Sequence, residues 1–271
     1  MRFVPIPQVV ASLSNAMVSP HSFHRKKVEV LVTEKTQESS KKAVKWLEEN
    51  DYERMFLDLP TKAEPFIRRA GFGADYDELL RCMREQGVMK EPEETHLYKA
   101  IKPIIRSMPA FQALGIQLYC YRDPIYSASL QKIAVEILTL TLRARLSTID
   151  VKRWKELMRE EILLASESAK REGMYVARRA GRLAVCFNAS PEAQALLKQE
   201  GFEVKETVIE ASTLPMDVLR HRVKDEILGG RPISQTETEE IIEDHLKFTD
   251  LVLRMDFEEA YKVWKTARRN A

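Results

Sequence analysis

The sequence predicts an α/β fold: a mostly parallel central sheet of about five strands, flanked by helices, with a helical C-terminal extension. Two observations carry this. Five short runs rich in β-branched and aromatic residues are separated by segments of helical periodicity. The first two runs and the helical segment between them form a unit of about 30 residues, the size of a βαβ crossover. No such run occurs beyond residue 209, so the remainder is expected to be helical.

The first run is Val28–Thr33. The segment 34–49 then places Ala43, Val44 and Leu47 on one helical face with Trp46 beside it. Arg54–Leu59 reads as the second strand, stopped by Pro60. A helical stretch follows: 64–70 ends at Gly71, 75–86 at Gly87, and 91–114 contains Pro103 and Pro109, so it is expected to be kinked or split. Ile116–Tyr121 is the third strand. The helix predicted over 125–146 is apolar almost all round and is expected in the interior, with Ile133, Ile137 and Leu138 in the core. The next, over 150–172, is amphipathic, with Trp154, Leu157, Met158, Ile162 and Ala165 on its inner face.

Arg182–Phe187 is the fourth strand. Ser190-Pro191 supplies an N-cap and a first-turn proline for a helix ending at Gly201, and Phe202–Ile209 is the fifth strand. A helix over 214–228 stops at Gly229-Gly230-Arg231-Pro232. Ser234 with Glu237 forms a capping box for the next, and Asp256 with Glu259 caps the last, which lines up Phe257, Tyr261 and Trp264. The expected organisation is an N-terminal arm over 1–27, an α/β domain over 28–230 and the helical extension over 231–271.

Charge is abundant but balanced, 43 Lys+Arg against 41 Asp+Glu, which does not favour a dedicated nucleic-acid binder but leaves room for a local basic face. Abundant charge with only four asparagines is a signature of heat-adapted proteins. The three cysteines, Cys82, Cys120 and Cys186, are far apart without CxxC spacing, and Cys120 and Cys186 sit in apolar runs as small hydrophobes. No secretory signal is evident, and no stretch has the length and apolarity of a membrane span, so a cytoplasmic protein without membrane contact is expected.

In a parallel sheet, ligands bind beyond the carboxyl ends of the strands. Thr33, Glu34 and Thr36 follow the first strand, Asp58 ends the second, Arg122 and Asp123 follow the third, and Asn188 and Ser190 follow the fourth. Glu34, Asp58, Arg122 and Asp123 are the candidate catalytic set: a carboxylate as base and an arginine to hold an anionic group. The structural alternative for these residues is helix capping and ion pairing. His21 and His24 lack the further ligands a metal site needs; no metal or cofactor is expected. His96, His221 and His245 stand singly on helices and are expected at the surface. Basic residues cluster at Arg25-Lys26-Lys27, at Arg68-Arg69, at Arg178-Arg179 with Arg182, and at Arg268-Arg269. Aromatics lie near some of them, and Arg25, Lys26, Lys27, Arg178, Arg179, Arg182, Arg268 and Arg269 with Trp264 form the candidate binding set.

Val28–Thr36, Ser39–Leu47, Met55–Pro60, Ala113–Asp123 and Arg182–Gly201 follow one another as the corresponding stretches do in the TraB/pheromone-shutdown family and its erythromycin-esterase-like and ChaN-like relatives. The chain resembles that family over roughly residues 28–208. The resemblance implies an α/β fold with polar groups at the first, second and closing strand ends. The sequence departs from the family there. Thr33-Glu34-Lys35-Thr36 has no histidine, Asp58 stands where the family carries Glu, and Phe187-Asn188-Ala189-Ser190 also lacks the family's histidine.

Two functions follow. One is a non-catalytic factor that binds a protein or RNA partner, the translation machinery included, with homodimerisation through the C-terminal helices. The other is a hydrolase-like enzyme using the strand-end carboxylates and arginine.

Overall fold

The computed structural model describes residues 26–89, 95–211 and 214–269. Arg25, the two N-terminal histidines and most of the expected N-terminal arm lie outside them.

Five strands form one parallel sheet: β1 (Lys27–Val32), β2 (Arg54–Pro60), β3 (Gln117–Arg122), β4 (Leu183–Phe187) and β5 (Glu203–Val208), in the order β3-β2-β4-β1-β5. The first two strands are parallel but not neighbours, because β4 lies between them. The chain therefore walks one way across the sheet from β1 to β3 and back from β3 to β5. Right-handed crossovers then place the helices of the two walks on opposite faces.

The outward walk carries α1 (Gln37–Glu48), α2 (Glu64–Gly71), α3 (Tyr76–Glu85), α4 (Thr95–Ala100) and α5 (Lys102–Ala113). Their apolar faces meet Leu31, Met55, Leu57, Leu118, Val185 and Phe187 of the sheet. The predicted break falls at Ile101, with Pro103 in the first turn of α5. The return walk carries α6 (Pro124–Leu146), α7 (Val151–Ala177) and α8 (Pro191–Gln199). Here Val28, Val30, Phe56, Tyr121, Ala184 and Cys186 pack against Val176, Ala180 and Leu197. Side chains alternate between the two faces along each strand, as the pleat requires. Cys120 and Cys186 are fully buried within this packing.

Beyond the carboxyl edge, α6 and α7 continue and meet α9 (Pro215–Ile227) and α10 (Gln235–Arg254). Ile133, Leu140, Trp154 and Leu157 share one cluster with Leu219, Val223, Ile241 and Ile242, so helices on both sides of residue 230 build the same core. The last helix, α11 (Phe257–Arg269), returns onto α10. Its aromatic stripe is covered by the chain itself: Tyr261 and Trp264 are buried against Phe248, with Phe257 packed beside them.

Two expectations need correcting. Helix α6 is not interior. Ile133 is buried and Ile137 partly so, but Leu138 is 57% exposed and Val135, Leu142 and Leu146 face outward with it. One face of α6 packs on α7 and α10, and nothing among the described residues covers the other. His245 is not a surface residue: it lies between α6 and α7, its Nε2 3.1 Å from Thr141 Oγ1 and its ring edge-on to Trp154. No described helix is long and apolar enough to cross a membrane.

Candidate functional site

Several strand-end groups are helix caps. The Thr36 hydroxyl accepts from Ser39 N at 3.1 Å, Asp123 from Ile125 N at 2.9 Å and Ser190 from Ala193 N at 3.2 Å. Each satisfies an amide at a helix start that has no partner within the helix. Asn188 is a tie between strands. It adopts φ of 52°, its Oδ1 accepts from Thr33 N at 2.8 Å, and its own N donates to Leu31 O at 2.9 Å.

The four candidate catalytic residues fall into two separate groups. Arg122 pairs with Asp58 and donates to Glu172 of α7 at 2.9 Å. Glu172 also accepts from Ser168 Oγ at 2.8 Å and Asp123 N at 3.1 Å, and Arg171 closes on Asp123. Burial opposes the charge on Arg122, but Asp58 and Glu172 overcome it and hold the guanidinium well above its usual pKa. The cation and its carboxylates neutralise one another in a network that locks α7 to the strand ends of β2 and β3.

Glu34 stands apart, with β4 between its strand and β2. It accepts from Tyr261 of α11 and from Lys265 at 3.3 Å, and Lys265 also pairs with Glu210. Glu210 pairs with Lys42 of α1 at 3.2 Å, and Glu258 of α11 accepts from Gln37 N at 2.6 Å in the first turn of α1. Burial works to raise the pKa of Glu210, but Lys265 and Lys42 outweigh it and lower the value. Glu34, Lys42, Glu210, Glu258, Tyr261 and Lys265 line an open pocket of about 210 Å³. Sequence reading missed this group because its partners come from the far end of the chain.

It also missed Glu29, a carboxylate buried in the middle of β1. Glu29 accepts from Tyr52 at 3.0 Å, from Thr207 at 2.6 Å and from Lys205 at 3.2 Å. Its signal was an acid inside a β-branched run. Among the described residues no group of three or more metal-ligating side chains occurs.

The candidate binding residues divide differently. Trp264 is enclosed and Arg268 pairs with Asp244 at the carboxyl end of the molecule, so the indole cannot present a surface. Arg269 lies at the end of α11. The remaining basic runs converge at the amino end of the sheet. Lys27 N donates to Arg182 O at 2.8 Å, which sets the starts of β1 and β4 side by side. Arg178 and Arg179 end α7 next to them, and Arg54 of β2 reaches the Arg179 carbonyl.

From there the surface continues to the β3 edge. The Arg179 guanidinium lies 3.9 Å from the centre of the Tyr175 ring. The Tyr175 hydroxyl donates to Glu64 at 2.7 Å, Arg68 pairs with the same carboxylate at 2.8 Å, and Arg68 lies over the Tyr119 ring at 5.5 Å. Lys26 covers Phe202 at 5.6 Å. Arg182 pairs with Glu53 at 3.3 Å and remains 66% exposed. No carboxylate pairs with Lys26, Lys27, Arg178 or Arg179 among the described residues. At the carboxyl end, by contrast, Arg122, Arg171, Lys265 and Arg268 all have acidic partners.

No family model, curated protein or solved structure matches the chain.

Proposed function

We propose that the protein is an RNA-binding factor that uses the amino end of its sheet. The observation that carries this is the basic amino end of the sheet, where the starts of β1 and β4 are joined, Lys26, Lys27, Arg178 and Arg179 have no carboxylate partner among the described residues, and Arg179 lies over the Tyr175 ring. Unpaired cations attract phosphates, and binding releases counterions from the nucleic acid. A nearly neutral chain binds RNA through such a local concentration of charge rather than through its net charge. The strand-end carboxylates and arginine support the reading indirectly. Arg122 and Lys265 are engaged by internal partners, and in this reading they hold α7 and α11 onto the sheet.

Fluorescence anisotropy with a labelled RNA tests the proposal. The joint Arg178→Ala and Arg179→Ala variant should bind at least about tenfold more weakly, in line with the loss of two phosphate contacts. A Lys42→Ala control at the opposite end should bind as the parent does. Equal binding by parent and double variant, or no binding by the parent, overturns it. Co-sedimentation with ribosomes extends the test to the translation machinery.

A further inference from the structure

Resting on that function, we infer that the strand this surface accepts is single: unpaired bases stack on the outward faces of Arg179 and Arg68. Each guanidinium is planar and lies over a tyrosine ring, Arg179 over Tyr175 and Arg68 over Tyr119. Each also has a second contact. Arg179 Nη1 reaches the Tyr175 carbonyl at 3.5 Å, and Arg68 is held by Glu64.

The two platforms are tied together. Glu64 receives the Tyr175 hydroxyl on one oxygen and Arg68 on the other, so one carboxylate sets the spacing between the two arginine–tyrosine pairs. Tyr119 stacks with Phe56 of the neighbouring strand at 5.1 Å, the planes 16° apart. The side chain of Arg68 is 55% exposed.

A guanidinium held over a ring in this way offers a π-face and a positive charge, the combination on which an unpaired base stacks in RNA complexes. A duplex keeps its base faces inside the helix and offers only phosphates and groove edges. The cations at the same end of the sheet, Arg178 next in sequence to Arg179 and Lys26 and Lys27 at the start of β1, suit the backbone of a strand whose bases lie on the arginines. Base stacking of this kind tolerates any sequence, because every base has a π-face.

Arginine-to-lysine exchange separates this role from simple charge, since lysine keeps the cation and loses the plane. The experiment compares oligouridylate with a duplex RNA of equal length, titrated against the full chain and its Arg179→Lys and Arg68→Lys variants. Circular dichroism melting checks that each variant is folded. The parent should prefer the single strand, and each lysine variant should weaken that binding at least about fivefold, equivalent to ~1 kcal/mol of lost stacking. Duplex binding should change by less than about twofold in the same variants. Equal or tighter duplex binding by the parent, or single-strand binding unchanged in both lysine variants, overturns this inference and leaves RNA binding itself standing. Binding of neither RNA removes the function on which it rests.

Discussion

Tyr261 on the last helix donates its hydroxyl hydrogen bond to the buried carboxylate of Glu34 at the end of the first strand, joining residues 227 apart in sequence. This bond, with Lys265 on the same carboxylate, fastens α11 over the carboxyl edge of the sheet. Replacing Tyr261 with Phe leaves the packing and removes the donor. A buried carboxylate that loses one partner should cost about 1–3 kcal/mol in a urea titration. A change below about 0.5 kcal/mol, the range of surface substitutions, would show that α11 is held by its apolar contacts alone.

Arg122 is the centre of the other strand-end network. Its replacement by Met strands Asp58 and Glu172, whose side chains are 16% and 1% exposed. Removing one partner of a buried ion pair should destabilise the protein by about 3–5 kcal/mol. Chemical unfolding of Arg122→Met measures this, and a stability equal to the parent's would mean that the carboxylates do not depend on the guanidinium.

Asn188 combines a left-handed backbone with a side-chain bond to the neighbouring strand. Asn188→Gly keeps the conformation and loses only the bond. Asn188→Ala loses the bond and adds strain, of order 1–3 kcal/mol for such a backbone position. The alanine variant should therefore be the less stable of the two in urea; the reverse order would show that the backbone is not fixed there.

Acid should weaken the fold in two steps. Burial, with Arg145 adding to it, pushes the His245 imidazole down from 6.5 to about 4. The native state therefore resists a proton that the unfolded chain accepts, so stability is full above 6.5 and falls as the pH drops toward 4. Burial works to raise the pKa of Glu226, but hydrogen bonds from Lys155, Ile233 N and Arg159 outweigh it and leave it at about 2. Its contribution is full above 4.5 and is lost as the pH falls toward 2. Urea midpoints measured against pH should show a shallower fall between 6.5 and 4 in His245→Asn. A parallel curve for that variant would remove His245 as the cause of the first step.

The strands were legible because their signal is local. β-Branched runs such as Val28–Val32 and Ala184–Phe187 alternate between two apolar faces, and proline or glycine marks many of the ends. Strand order was not legible, since pairing β4 between β1 and β2 depends on contacts 156 and 130 residues apart. That order separates Glu34 from Asp58 and so divides the expected catalytic set. It also brings Lys27 to Arg182, which local charge patterns showed only as separate basic runs. Helix α6 misled for a related reason: a helix apolar almost all round signals burial, but only one of its faces meets another element. The aromatic stripe of α11 was legible as a face that needs covering, though not which surface covers it.

The most direct test of the central claim is the salt dependence of RNA affinity in the parent and in the joint Arg178→Ala and Arg179→Ala variant. Each phosphate contact to a single strand contributes about −0.7 to the slope of log affinity against log salt. If the amino end of the sheet is the RNA surface, the slope should become shallower by about 1.4 when both arginines are removed. An identical slope in the two proteins would contradict it, whatever their absolute affinities.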